Sequence, residues 1–363
     1  MERKAKTKKT PTALAFVIML ALALSLPAYV TPNNSAAPHA DGDENKKYID
    51  GADVMSSSNS ETATGVATSS YAPDHGGAPT DGKDGTVGAN GKTASGDGDA
   101  GDSQEESKNV QYTTIHMSDA DIYEGSLILI NNDHEYSVPE LSHFVTIADY
   151  KTESYRIAGN DQLLAPSIME PLNNMMDDFY AEKGSNSVTI SSAFRDYAKQ
   201  QEIMNDYIKR LGTTEAKKWA SVPGYSEHHS GLAFDLGVYS GGEVNALTNS
   251  GIYKWFSQYS YLYGFVLRYP DNKTGITGIT HEPWHYRYVG EPHAFIMFLY
   301  DWCLEEYIDA IARYTREDPL CIGYQGSRYE VYYTTDTEID VPAGCEFDIS
   351  GNNIDGFIVT IKN

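Results

Sequence analysis

Ser226-Glu-His-His-Ser-Gly-Leu-Ala-Phe-Asp235 and, further along, Glu282-Pro-Trp-His285 are the two stretches from which the rest of the chain can be read. Leu232-Ala-Phe-Asp-Leu-Gly237 reads as a short buried strand. Leu232, Phe234 and Leu236 lie on one face; Ala233, Asp235 and Gly237 lie on the other. A carboxylate in so apolar a run needs a partner, because an unpaired buried charge is costly. Two imidazoles and one carboxylate form a catalytic zinc ligand set that keeps a fourth position open for water. His285 and Asp235 supply two of these groups, and the third is His228 or His229, which spacing alone does not separate. Glu282 stands three residues before His285, placed to act as general base on a water.

His281-Glu-Pro-Trp-His285 also matches the HExxH pattern of helical zinc proteases, which works only when both histidines share one helical face. Pro283 pushes Glu282 toward extended backbone. The following Trp284-His-Tyr-Arg-Tyr-Val289 alternates as a strand does. On a strand, His281 and His285 would be about 13 Å apart at roughly 3.3 Å per residue, too far to share one ion. His281 is therefore expected to be a bystander.

Elsewhere the folded part mixes helices and strands without a βαβ rhythm, which favours an α+β class. Gly125-Ser-Leu-Ile-Leu-Ile-Asn131 reads as an early strand. A helix opening near Pro171 places Leu172, Met175, Met176 and Phe179 at core-facing spacing and ends at Gly184. Val188-Thr-Ile-Ser191 reads as a strand, and about Tyr197 to Leu211 as a helix. Ile252 to Tyr263 reads as a helix, Phe265 to Tyr269 as a strand, and Pro292 to Arg313 as two helical segments. Beyond Arg313, Tyr329-Glu-Val-Tyr-Tyr333 and Phe357-Ile-Val-Thr-Ile361 are strand-like, so residues 314–363 read as a small β module. Cys321 and Cys345 lie in it and could pair; Cys303 is left over, and no CxxC occurs.

These residues carry a resemblance. Ser226-x-His228-x-x-Gly231-x-Ala233-x-Asp235, with Glu282-x-Trp284-His285, resembles the VanY-type D-alanyl-D-alanine carboxypeptidases. They belong to the zinc peptidase family that also holds VanX-like dipeptidases and is related in fold to the Hedgehog signalling domain. A third block, Ser192-Ala-Phe-Arg195 with Gln200, matches as well, with alanine and phenylalanine where the family's glycine and tyrosine are usual. The resemblance covers roughly residues 120 to 310 and implies a Hedgehog/DD-peptidase-like fold, a mixed or antiparallel sheet flanked by helices, for the domain assigned to residues 110–313. It implies Zn2+ held by His228, Asp235 and His285, which selects His228 over His229. It makes Glu282 the base and Arg195 the substrate-binding arginine, with Ser192, Gln200, Ser226 and Trp284 as further substrate positions. A guanidinium suits that role, since it binds a terminal carboxylate in bidentate fashion. The implied reaction removes the terminal D-Ala of a peptidoglycan stem peptide. L,D-carboxypeptidase, endopeptidase and non-catalytic wall-binding readings use the same ligand set.

Composition fits an exported enzyme. Arg3, Lys4, Lys6, Lys8 and Lys9 precede an uncharged run from Ala13 to Leu26, the pattern of a signal peptide. Extending the run to Val30 leaves membrane attachment through residues 13–30 open. Residues 31–109, rich in Gly, Ser and Asp, are expected to form a disordered tether between residues 1–30 and the enzyme. A net charge of -24 argues against nucleic-acid partners and against an anionic membrane surface. The expected form is a monomer on the extracellular side of the membrane or in the wall.

Overall fold

The computed structural model describes residues 49–50 and 111–363; the expected signal segment and nearly all of the expected tether lie outside the described residues. The central sheet is built on β3 (Ala233–Ser240), whose alternation puts Phe234 and Leu236 in apolar core on one side and Asp235 on the other. On one edge β3 pairs antiparallel with β2 (Val188–Ser192), which pairs parallel with the short strand Arg156–Ile157. On its other edge it pairs antiparallel with β6 (His285–Tyr288), which in turn pairs with β5 (Phe265–Leu267). The hairpin strand β4 (Glu243–Ala246) folds back on the far end of β3. One parallel pairing among antiparallel ones makes this a mixed sheet, with helices beside it: an α+β domain.

Helix α1 (Met169–Lys183) buries Leu172, Met175, Met176 and Phe179, the stripe set by their spacing, and Gly184 ends it in the left-handed region at φ 65°. Phe179 meets Phe256 of α3 (Lys254–Tyr259) at 4.6 Å between ring centroids. Helix α2 (Tyr197–Leu211) starts after Asp196, whose carboxylate caps it by accepting from the Lys199 N–H at 2.7 Å. The stretch that reads as one helix from Ile252 to Tyr263 is α3 flanked by two 3-10 turns.

Segment 125–131 is not a strand in a sheet. Its period-two pattern is nevertheless real. Ile128 and Ile130 enter the core under the central sheet, and Leu127 and Leu129 enter a second core shared with the C-terminal strands. Its backbone groups find partners other than a ladder. Leu127 N–H donates to Ser350 Oγ at 2.9 Å and Leu129 N–H to the Asn352 carbonyl at 3.0 Å. The carbonyls of Ser126 and Ile128 each accept from Arg287 Nη2 at 2.9 Å, and that of Leu129 accepts from Asn353 Nδ2 at 2.7 Å. Alternation reports two buried faces, not which groups take the hydrogen bonds.

After α4 (Glu291–Tyr300) and α5 (Leu304–Ile311) come β7 (Leu320–Tyr324), β8 (Ser327–Thr334), β9 (Glu338–Pro342), β10 (Glu346–Gly351) and β11 (Phe357–Lys362). Ile49–Asp50 adds in parallel to β7, and the order continues β8, β11, β10. β9 pairs instead with β1 (Tyr112–His116), at the start of the folded part. Leu320, Ile322, Val331 and Ile358 share a core with Ile296, Leu304, Ile308 and Ile311 of the two helices. The pairing that the sequence leaves open between Cys321 and Cys345 is not formed: Cys321 Sγ lies 3.6 Å from the Pro319 carbonyl, and Cys345 and the buried Cys303 carry free thiols.

Candidate active site

The three sequence blocks meet because β2, β3 and β6 are neighbours. Asp235 stands opposite His285 in one ladder and opposite Ser192 in the other, where β2 shifts register between Ile190 and Ser192. That irregularity lets the chain leave the sheet at Ala193, whose carbonyl accepts from His228 Nδ1 at 2.6 Å. His228 itself sits on the 3-10 turn Glu227–Ser230, which Gly231 closes at φ 68°. A Cβ on Gly231 would come within 2.9 Å of the Ala165 nitrogen and 2.6 Å of the Phe144 ring, so glycine is required twice over.

Within this frame His228 Nε2 lies 3.4 Å from Asp235 Oδ1, and His285 Nδ1 lies 3.3 Å from the same oxygen. The two imidazoles stand edge to face, 84° apart. His228 Nε2 and Asp235 Oδ1 are buried and have no hydrogen-bond partner. Bonds of about 2.0–2.1 Å in a tetrahedral zinc site put ligand atoms roughly 3.3–3.4 Å from one another. One donor atom from each of His228, Asp235 and His285 lies within 4.8 Å of the other two. Burial and the neighbouring Arg195 guanidinium pull His228 down to about 4, keeping its lone pair available at neutral pH. Burial alone would push Asp235 up, but His228 and His285 beside it hold the carboxyl well below its usual range. Burial would likewise deprotonate His285, yet the carboxylates of Asp235, Glu227 and Glu282 push its pKa well up. The pocket is built to hold positive charge, and a divalent cation fits the donor set.

His229 is accounted for structurally. Its Nδ1 meets the Arg195 carbonyl at 2.7 Å and its Nε2 accepts from the Gly224 N–H at 3.0 Å, so neither nitrogen is left for a metal. His281 is held too, with Nδ1 2.9 Å from the Tyr269 carbonyl. His281–Trp284 lies outside helix and leads into β6, so the HExxH reading fails on backbone geometry. His285 N–H donates to the Glu282 carbonyl at 3.2 Å, closing a turn that brings Glu282 Oε2 to 3.5 Å from His285 Nδ1. Burial raises the Glu282 carboxyl above the ordinary range, making it a better proton acceptor once ionised.

The cleft above these groups is lined by Arg195, Gln200, Ser226, Trp284 and Glu282, among others. Arg195 reaches Asp235 only at 3.9 Å, and its buried Nε has no partner. Gln200, whose facing on its helix the sequence leaves open, is 1% exposed. Its Nε2 donates to the Ser221 carbonyl at 2.7 Å, while Oε1 is an unpartnered buried acceptor. Ser192 stays in the ladder against Asp235 and does not line the cleft. Tyr269, Trp219, Tyr207 and Ile279 complete the walls; as isolated apolar residues they carry no motif. Sequence reasoning also misses Glu227, buried between two arginines and His285.

Comparison with known proteins gives a consistent picture. The sequence profile of the VanY family, described as D-alanyl-D-alanine carboxypeptidase, matches residues 161–291. A D-alanyl-D-alanine carboxypeptidase of Enterococcus faecium is 35% identical over 262 residues, spanning 70% of this chain and 80% of that protein. The bifunctional D-Ala-D-Ala dipeptidase and carboxypeptidase VanXYC of Enterococcus gallinarum is 30% identical over 196 residues, spanning 53% and 98%. Among solved structures, the vancomycin-resistance D,D-dipeptidase VanXYg, in complex with a D-Ala-D-Ala phosphinate analog, superposes with a TM-score of 0.63 at 31% identity. The match covers 70% of this chain and all of that one.

Proposed function

The chain belongs to the VanY family of D-alanyl-D-alanine carboxypeptidases, and from that premise we propose that it removes the terminal D-alanine of peptidoglycan stem peptides with a zinc ion held by His228, Asp235 and His285. The observation that carries the proposal is a pair of buried, unpartnered donor atoms, His228 Nε2 and Asp235 Oδ1, converging with His285 Nδ1 beside a buried carboxylate. Zinc, when bound, supplies Lewis-acid polarisation of the scissile carbonyl and makes water acidic enough to react near neutral pH.

The side chains divide the remaining work. Glu282 takes the proton of the attacking water and delivers it to the departing amine nitrogen. Arg195, with its Nε unpartnered and only one long ionic contact, is free to take a terminal carboxylate or to neutralise developing negative charge on the carbonyl oxygen. Gln200 cannot bind a carboxylate through its anchored amide nitrogen; its Oε1 accepts an N–H of the peptide. Tyr269 and Trp284 close the walls. The cationic start and apolar run of residues 13–30 support action outside the cytoplasm, where stem peptides are exposed, with attachment through that run and a monomeric enzyme as the working picture.

Incubation of the zinc-loaded protein with a muropeptide pentapeptide ending in D-Ala-D-Ala, followed by mass spectrometry, tests the reading. Loss of one alanine that a chelator abolishes is expected. An intact pentapeptide in the presence of bound zinc overturns it.

A further inference from the structure

Glu227 is 1% exposed and sits directly behind the ligand His285. Its Oε1 accepts from Arg268 Nε at 2.7 Å and from Arg287 Nη1 at 2.9 Å, while Oε2 lies 3.2 Å from His285 Nε2. Arg268 is gripped from its other side by Glu305 of α5, at 2.8 and 2.6 Å through Nη1 and Nη2. Arg287 is fixed by the carbonyls of Ser126 and Ile128. Two buried arginines thus balance two carboxylates, and none of these four side chains lines the cleft.

We propose that Glu227 is the positioning residue of the metal site: it holds the His285 proton on Nε2 and thereby aims the Nδ1 lone pair at the point where His228 and Asp235 converge. The inference rests on the zinc reading above. The one donor that each arginine aims at Glu227 meets Oε1, so Oε2 is left as an acceptor facing His285. An imidazole that donates from Nε2 keeps its lone pair on Nδ1. Outer-shell carboxylates on ligand histidines act in this way, and their loss weakens metal affinity by about 10–100-fold.

The isosteric change Glu227→Gln separates positioning from packing. With the amide oxygen held by the two arginines, the substituted side chain would turn its NH2 group toward His285. That contact demands a lone pair on Nε2 and puts the imidazole proton on Nδ1. Zinc affinity of the full chain, measured by chelator competition, is expected to fall about 10–100-fold, with a lowered melting temperature as well, since the two buried arginines are then one carboxylate short. Glu305→Gln removes a carboxylate from the same Arg268 without touching His285, and should leave zinc affinity within about threefold of native. Affinity of Glu227→Gln within about threefold of native overturns the assignment, as does an equal loss in both variants. Should Glu227→Gln fail to fold, nitrogen-15 NMR of the zinc-loaded native protein decides. A downfield, slowly exchanging His285 Nε2–H is expected, and its absence overturns the proposal. Failure of the native protein to bind zinc at all would instead strike the proposed function.

Discussion

At the residue scale, Glu282 and Glu227 show how two buried carboxylates beside one imidazole come to do different things. Burial pushes Glu282 up, and its nearest partner is His285 at 3.5 Å. Burial pushes Glu227 up as well, but Arg268 and Arg287 outweigh it and hold the group ionised far below its usual range. The first can accept and release a proton; the second stays ionised. Replacing Glu282 with alanine is therefore expected to leave zinc bound and cut turnover by about 100-fold or more, the ordinary worth of a positioned general base. Zinc content together with the rate of D-alanine release checks both halves. The motif residues are legible because each has a chemical reason to sit where it does: the carboxylate in an apolar strand, or the proline that forbids a helix through His281. Glu227 is written in the same stretch and still cannot be read there, because its meaning depends on Arg268 and Arg287, which reach it across strands that sequence alone does not pair.

At the scale of elements, the site depends on one turn being tight. Glu227–Ser230 must bring Glu227 behind His285 and His228 toward Asp235, and the turn closes only because Gly231 takes a left-handed conformation against the Ala165 backbone. Gly231→Ala should cost roughly 1–2 kcal/mol from backbone strain alone. Displacement of Phe144 and of the Ala165 backbone adds to that. Denaturant unfolding is expected to show the loss, and zinc titration a weakened site; unchanged values in both would mean the turn can relax without cost. Elements are legible where periodicity and punctuation agree. Helix α2 occupies Tyr197–Leu211 as expected, and α1 ends at Gly184 as expected. Segment 125–131 misleads because its alternation is satisfied by two cores and by the side chains of Arg287, Ser350 and Asn353, a solution without local signature.

At the scale of the whole described fold, the C-terminal strands are bound to the catalytic part by polar contacts as well as by a shared core. His293 of α4 is the clearest case. It is 2% exposed, with Nδ1 2.5 Å from Tyr307 Oη of α5 and Nε2 3.1 Å from Thr360 Oγ1 of β11. Burial pulls it down to about 3 from the ordinary 6.5, so the folded protein keeps this ring neutral where the unfolded chain protonates it. The sign follows from proton counts. Between about 6.5 and 3 the unfolded state binds more protons, so stability rises with pH through that window and falls as the pH is lowered through it. A single group can contribute at most about 1.4 kcal/mol per pH unit. His293→Gln keeps a polar side chain but cannot titrate, so its stability should fall less steeply than that of the native protein between about pH 6.5 and pH 4. Denaturant unfolding of both proteins at several pH values measures the difference. Parallel curves would show that the ring is reached by solvent protons without unfolding, and that α4, α5 and β11 part more easily than their common core implies.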